Sequence, residues 1–473
     1  MTVELRVALL CDAHVDTAKL DRDLWAPGPY KLQYVDHKGK DVVTDRLARS
    51  TNFPGVVAPY LFGTDPVSPS SDRSSTSIFE DEVRFHRRAV EPYSLSATSI
   101  ADGVGVEEMY IDRIELLAAS QGRSGRPEVR EIERPAVLAL QLRVRVREVD
   151  VAIDLIERLC RERAESGNSY VRGFQTHNIV YSLGELSNGI VFPSKLEEGA
   201  EGSVYSVVLD DTTNRSRGVE VSEVTQSMPD EDRMFRIAAA QPLARFHSSD
   251  VSVSRAKDEI RHLSRSWSML FLRHGAVFQL HSPLDDRFRR FADIFFSTLY
   301  IDAVMLARLQ AQLVRRWELE VGRLLESTRD SPDLGALNSE LVLLLRDMAI
   351  DQSRYLIRRS VSHTGSAVSV LHVCQDVLEL QERIDALEEH VSRLAVLADR
   401  DDSARRSAAQ ERLSLLVTVI ASVAIPVTFF VDMFQLLSIK VTFASVSVLL
   451  IISCLVSVAL GSLLYKLSSR NFR

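Results

Sequence analysis

Two long apolar stretches lie near the end of the chain. Residues 413–434 and 441–465 each hold about the 20 apolar residues with which a helix crosses a hydrocarbon core of about 30 Å. The linker 435–440 is too short to hold a domain. The pattern therefore predicts a membrane hairpin over 413–473, with everything before it on the same side of the membrane as the C-terminus.

Upstream of this hairpin, apolar residues alternate at spacings of three and four over about four heptads, which predicts a coiled-coil seam on a stalk helix at 363–412. Two interpretations fit this pattern: a helix packed within its own chain, or self-association about a central axis. The predicted seam consists of Val377, Leu380, Ile384, Leu387, Val391 and Leu394.

Before the stalk, residues 283–362 show helical spacing in two stretches separated by Ser331-Pro332-Asp333, which predicts an antiparallel helical pair. The first 282 residues read as mixed α and β. Alternation over 138–146 predicts a half-buried strand, and further strands are expected at 4–11 and 203–210. Arg273-His274-Gly275 predicts a hairpin between two more strands.

Basic residues flank the predicted spans unevenly. Three arginines precede the first span and three basic residues follow the second, whereas the linker carries only Lys440. The positive-inside rule then predicts a multi-pass protein of the inner cell membrane with both termini in the cytoplasm. The pattern at 1–12 is not that of a cleaved signal peptide.

Composition and motifs narrow the function classes. The net charge is −8, which gives no indication of nucleic-acid binding, and the four cysteines are scattered without a CxxC pair. This cysteine usage fits a reducing cytoplasm and argues against a thiolate zinc site. The chain has no P-loop, GxSxG or HExxH motif, so we expect that it is not an enzyme.

The stretch 418–430 reads TVIASVAIPVTFF, and Pro426, Thr428 and Phe429 form a Pro-x-Thr-Phe sequence. With the long helix before it and the basic tail after it, this segment resembles the first span of the CorA family of divalent-cation channels. The resemblance implies a CorA-like fold: an α/β N-terminal cytoplasmic domain, a long helical coiled-coil stalk and two C-terminal transmembrane helices. It also implies a homopentamer.

The chain departs from that family at the outer mouth of the predicted pore. The family usually ends its first span with Gly-Met-Asn, but this chain has Gln435-Leu436-Leu437 there. The resemblance therefore implies the fold more strongly than selectivity for Mg²⁺. The resemblance also implies that Mg²⁺ or another divalent cation is the transported or regulatory ion, and no other cofactor is expected.

One stripe of the first span is the candidate pore lining. Asp432 is its ionisable residue and the candidate metal ligand, since a membrane carboxylate is costly unless it has a function. The alternative places Asp432 at the membrane interface, facing water away from the pore axis. In that case the Thr and Ser hydroxyls of the span form hydrogen bonds to the backbone of their own helix. Pro426 is expected to kink the span. The predicted pore-lining residues are Thr418, Ser422, Ile425, Thr428, Phe429 and Asp432.

Three groups in the first 282 residues suggest chemistry. Residues 11–16, CDAHVD, collect metal-ligand types at the end of a strand, although a structural role is the alternative. Arg143, Arg145 and Arg147 share a face that suits a phosphate-bearing ligand, with local acids as the alternative partners. The carboxylates of residues 80–82 are candidates for a cation sensor.

Three functions fit these observations. The first is a CorA-like homo-oligomeric cation channel or transporter, gated by its cytoplasmic domain. The second is a ligand-gated membrane effector on the same scaffold, which permeabilises the membrane in response to a nucleotide-type signal. The third is a membrane-anchored scaffold without a pore. The expected partners are further copies of the chain, membrane lipid and a small-molecule ligand.

Overall fold

The computed structural model describes most of the chain up to residue 396. The described ranges are 3–35, 39–44, 46–53, 57–63, 82–88, 93–96, 106–119, 134–148, 150–157, 175–176, 179–180, 189–191, 205–211, 230–241, 246–247, 249–273, 275–281, 286–330, 334–355 and 365–396, with residues 410 and 414.

Within these ranges, thirteen strands form one sheet and two form a separate hairpin, β3–β4. The strands are β1 Val3–Val15, β2 Trp25–Pro27, β3 Leu32–Val35, β4 Asp41–Thr44, β5 Arg84–Arg87, β6 Tyr93–Ser96, β7 Val106–Ala118, β8 Arg134–Val146, β9 Gln175–Thr176, β10 Ile179–Val180, β11 Ile190–Val191, β12 Tyr205–Asp211, β13 Arg261–Ser264, β14 Trp267–Phe271 and β15 Gly275–Leu280.

The centre of the sheet consists of three long antiparallel strands in the order β7-β8-β1. The sheet continues through β12, which pairs with β15 in parallel, and ends with the antiparallel strands β14 and β13. The strands predicted at 4–11, 138–146 and 203–210 are therefore present as β1, β8 and β12. The predicted hairpin is present as β14–β15.

The helices are α1 Arg46–Ser50, α2 Ala58–Phe62, α3 at 150–157, α4 Asp230–Ala238, α5 Val251–Asp258, α6 Asp286–Phe295, α7 Ile301–Asp330, α8 Leu334–Tyr355, α9 Ser366–Val377 and α10 at 380–396. A π-helical turn at Phe296–Tyr300 joins α6 to α7, and we call it the π segment.

Side-chain alternation gives the sheet two different faces. On the apolar face, residues such as Leu5, Val7 and Leu138 form a core with α3, α4 and α5. Each buried aliphatic side chain of this kind contributes about 1.5–3 kcal/mol. The other face, which we call the charged face, is covered by α6, the π segment and the first part of α7.

The chain divides into two compact units. Unit 1 comprises Met1–Arg323 with Leu343–Glu389 and contains the whole sheet. Unit 2 comprises Leu324–Val342 with His390–Arg473. Its described part holds the end of α7, the start of α8 and the end of α10. The candidate site described below lies entirely in unit 1.

The prediction of a CorA-like fold with two transmembrane helices is wrong for the part of the chain that the structure describes. That part is a mixed α/β fold around one large sheet. None of its helices combines the length and the apolarity needed to cross a bilayer. The description of the chain as a transmembrane ion-transport protein therefore has no support in these ranges. The predicted spans at 413–434 and 441–465 lie outside them, apart from residue 414.

The predicted continuous stalk helix is interrupted. Helix α9 ends at Val377, and Glu379 adopts a left-handed backbone with a φ of 51° before α10 begins at residue 380. A non-glycine residue in this region costs free energy and ends regular α-helix. The prediction of a single coiled-coil rod over 363–412 is thus wrong within the described stretch 365–396.

Candidate functional site

The residues predicted to line a pore are not brought together by the described structure. They lie outside its ranges, together with the predicted span kink at Pro426 and the tentative metal ligand Asp432. Their role in ion conduction stays a prediction. The residues concerned are Thr418, Ser422, Ile425, Thr428, Phe429 and Asp432.

Five of the six residues of the predicted stalk seam are buried inside the chain itself, and Val377 is half-buried. Leu380, Ile384, Leu387, Val391 and Leu394 are between 0% and 7% exposed without any second copy present. Nearby, Arg383 forms a bidentate ion pair with Glu318 of α7 at 2.7 and 2.9 Å. This burial supports a helix packed within its own chain. Self-association stays a prediction.

The group at residues 11–16 does not converge on one point. Cys11 lies on the apolar face of β1, whereas Asp12 on the charged face pairs with Arg308 of α7 at 2.8 Å. Asp16 accepts the backbone N–H of Ala18 and pairs with Lys19. The described ranges contain no group of three or more His, Cys, Asp or Glu residues that would hold a metal ion.

The predicted arginine face is present at Arg143 and Arg145, which neighbour Glu4 at 3.6 and 3.9 Å. Arg147 is exposed at the end of β8, as predicted for a solvated face. Of the acidic residues 80–82, only Glu82 is described. It is buried, and its backbone carbonyl accepts a hydrogen bond from Arg134 at 3.1 Å.

A layer of charged side chains lies between the sheet and α6–α7. Its deepest part is a cluster of four residues from four elements, which we call the interior cluster: Arg49 of α1, Arg84 of β5, Glu115 of β7 and Asp302 of α7. All four side chains are between 0% and 2% exposed. Arg49 contacts Glu115 at 2.8 Å and Asp302 at 2.5 Å, and Arg84 contacts the same two carboxylates at 2.7 and 2.5 Å.

The interior cluster is electrically balanced, with two cations and two anions. Burial alone would raise the pKa of Glu115, but Arg49 and Arg84 hold that pKa well below its ordinary value. Burial alone would lower the pKa of Arg49, but Asp302 and Glu115 raise it above its ordinary value. Glu115 also accepts the backbone N–H of Tyr30 at 2.8 Å. Glu115 and Arg49 therefore stay ionised in the folded chain.

A second contact that joins α7 to the sheet is the ion pair of Arg308 with Asp12. The guanidinium of Arg308 also lies over the ring of Tyr205, 5.3 Å from its centroid. Burial would lower the pKa of Arg308, but Asp12 raises it above its ordinary value. The buried thiol of Cys374 in α9 is close enough to interact with Arg308, and burial raises its pKa to about 12. This thiol is therefore protonated and unreactive at neutral pH.

The outer part of the layer is the rim cluster: Arg6 of β1, Asp112 and Arg113 of β7, Arg143 of β8 and Asp293 of α6. Arg6 binds Asp293 in a bidentate pair at 2.6 and 3.0 Å and Asp112 at 2.7 Å. Asp112 lies where the register of β7 shifts between Ile111 and Arg113, and such bulges re-aim side chains.

The π segment lies against the sheet next to the interior cluster. Gln141 of β8 donates to the backbone carbonyl of Ser297 at 2.9 Å, and Thr298 donates to the carbonyl of Ile294 at 2.6 Å. The ring of Tyr300 stacks on Phe278 of β15 at 4.8 Å between centroids. A π turn displaces carbonyls from the regular α ladder, and these polar contacts satisfy two of them.

The sequence analysis missed most of this layer. Asp302 and Arg308 interrupt an otherwise apolar stretch of α7, and a charge within a buried helical stripe signals a buried partner. The identity of that partner was not readable, because Asp302 meets Arg49 across 253 residues of chain.

No protein-family model matches the chain, and no curated protein matches it.

Proposed function

We propose that unit 1 is a regulatory module in which the sheet holds α7 in one defined register and releases it in response to a signal. The observation that carries this proposal is the fastening of α6 and α7 to the sheet by ion pairs at Asp293, Asp302 and Arg308. The module binds the signal and transmits it through the position of α7. It does not itself need to catalyse a reaction.

The physical reason concerns geometry rather than strength. A buried ion pair contributes little net stability compared with apolar groups of the same size, because its charges lose their hydration. Removing one partner of a buried pair, however, costs about 3–5 kcal/mol, because the other charge is left uncompensated. An interface fastened in this way tolerates no small slide or rotation of the helix, so α7 is either seated with its pairs satisfied or displaced as a unit.

The connection to the rest of unit 1 supports a transmitting role. Beyond the layer, α7 pairs with α9 through Gln310 and Gln375 at 2.9 Å and with α10 through Glu318 and Arg383. A change in the seating of α7 therefore reaches the helices that follow it in sequence. In this proposal α7 is the two-state element, and the signal shifts its equilibrium between the two states.

The test compares Asp12→Leu with the double variant Asp12→Leu, Arg308→Met in the full-length chain. We expect Asp12→Leu to make amide hydrogen exchange in peptides from 301–323 at least about fivefold faster, because Arg308 is left buried without its carboxylate. The double variant should return this exchange toward the wild-type rate, since apolar groups then replace the pair. Peptides from β8 should keep their exchange rates.

The matched control is Val253→Ala on α5, which packs against the apolar face. It should lower the urea midpoint without selective exchange in α7. If α7 and the sheet exchange as a single unit in the wild type and in Asp12→Leu, α7 has no independent displaced state and the proposal is wrong.

A further inference from the structure

The rim cluster contains an unusual cation. The Nε and Nη1 nitrogens of Arg113 are buried and have no hydrogen-bond partner among the described residues. Burial lowers the pKa of Arg113, and the neighbouring charge of Arg6 lowers it further, although Asp112 and Glu115 oppose the change. Buried donors are almost always satisfied in folded proteins, so a guanidinium of this kind indicates a missing partner.

Strand register places two further arginines beside it. Arg6 is directly opposite Arg143 on β8, and Arg113 is opposite Gln141, two residues from Arg143 on the same face. Like charges directly opposite on a sheet destabilise each other. Arg143 reaches the carboxylates of Glu4 and Asp112 only at 3.6 Å, which is beyond normal hydrogen-bond length.

The rim cluster is crowded with cations. It holds the three guanidinium groups of Arg6, Arg113 and Arg143 and the two carboxylates of Asp112 and Asp293, and Glu4 lies 3.6 Å from Arg143. The set also opens to solvent, since the side chain of Arg143 is 43% exposed. An anion therefore has both a reason to bind here and a route of entry.

Arg84 in the interior cluster differs in this respect. It also has two nitrogens without a hydrogen-bond partner, but it is 0% exposed and its guanidinium lies 5.5 Å from the centroid of the Phe62 ring. Its two carboxylate partners already neutralise the local charge. The interior cluster thus lacks the access to solvent that the rim cluster has at Arg143.

We propose that the rim cluster is a binding site for a soluble phosphate-bearing anion. Arg113 and Arg143 are its principal ligands. Arg6 also contacts the anion, although it binds α6 as well. Guanidinium groups bind phosphate oxygens through paired N–H donors. Because Arg6 also fastens Asp293 of α6, an anion here competes with that carboxylate and weakens the seat of α6–α7. The coupling part of this inference rests on the proposed regulatory function.

The experiment is a calorimetric titration of inorganic pyrophosphate into the full-length chain at constant ionic strength, compared with citrate. We expect saturable binding of pyrophosphate at one site and weaker binding of citrate. Arg113→Met should weaken pyrophosphate binding by about tenfold to a hundredfold, the range expected for one charge-assisted contact. It should change the urea midpoint little, because the loss of attraction to Asp112 and Glu115 is offset by removal of two buried nitrogens without a hydrogen bond. Arg143→Gln should weaken binding as well.

The control is Arg255→Gln, an exposed arginine of α5, which packs against the apolar face of the sheet. Its affinity for pyrophosphate should stay within about twofold of the wild type. Equal binding by wild type and Arg113→Met would overturn the site. So would the absence of saturable binding, or citrate binding as tight as pyrophosphate binding, since ordered water or general ionic attraction then explains the arginines.

Hydrogen exchange with and without pyrophosphate separates this inference from the proposed function. Faster exchange at 286–323 on binding supports both. Binding that depends on Arg113 but leaves the exchange of α6 and α7 unchanged supports the site and contradicts regulation through it. Independent opening of α7 without any pyrophosphate binding supports the regulatory module and contradicts the site.

Discussion

The apolar face and the charged face of the sheet hold their helices by different physics. On the apolar face, α3 to α5 are held mainly by aliphatic and aromatic contacts, which are non-directional and lose little free energy when a helix shifts slightly. One buried ion pair, Arg233 of α4 with Asp210 of β12, adds a directional contact there. On the charged face, α6 and α7 add to their apolar and aromatic contacts a layer of carboxylate and guanidinium groups that require defined distances and angles. The apolar face therefore supplies mainly cohesion, and the charged face adds most of the contacts that define position.

The largest effect is expected from breaking the interior cluster. Glu115→Gln removes one of the two anions and leaves Arg49 and Arg84 with Asp302 alone, which should cost about 3–5 kcal/mol. Urea unfolding followed by tryptophan fluorescence measures this change, since Trp25, Trp267 and Trp317 are all buried in unit 1. A loss below about 1 kcal/mol would mean that the cluster is not sealed from water.

The same variant should also change the dependence of stability on pH. The pKa of Glu115 is below its ordinary value in the folded chain, so its contribution is complete above about pH 4.5 and is lost as the pH falls further. The difference in unfolding free energy between wild type and Glu115→Gln should therefore shrink below that pH. Glu259→Gln, an exposed residue at the end of α5, is the control and should show no such difference.

A smaller effect is expected on the apolar face. Ile153→Val removes one buried methylene from α3 and should cost about 0.5–1.5 kcal/mol. Amide hydrogen exchange in α7 should change only as much as the global unfolding free energy does, without selective opening of this helix. A selective rise at 301–323 in this variant would show that the two faces are coupled through the sheet and would weaken the contrast between them.

The smallest effect is expected at the pair of Arg383 with Glu318. Its side chains are 29% and 37% exposed, so solvent screens the attraction. Arg383→Gln should cost less than about 1 kcal/mol, and the cost should nearly vanish in 1 M NaCl. A larger cost that persists in salt would place this pair among the position-defining contacts of α7.

Alternation and turn chemistry predicted the centre of the fold because strands β1 and β8 carry their burial pattern locally. The same logic left two interpretations open for the stalk, since apolar spacings of three and four look alike whether a helix packs on its own chain or on another copy. The sequence also gave no indication of the left-handed residue Glu379, because nothing about that glutamate signals a helix break.

The candidate site was predictable only in part. Arg143 and Arg145 stood out because they alternate along a strand, and they lie beside local acids as one interpretation expected. Arg49 and Arg84 did not stand out, because isolated charges in a short helix and a short strand have no spacing to interpret. Their meaning comes from contacts that span more than 200 residues of chain.

The extra residue of the π segment explains how α6 and α7 can both face the sheet with acidic side chains. In an unbroken α-helix each residue advances by about 100°, so nine residues would place Asp302 roughly 180° around the axis from Asp293. The π segment lies between them and turns the later side chains back by about 100°. The phase of the helix is thus set by Phe296–Tyr300. Every charge that α7 presents to the sheet depends on that local rotation.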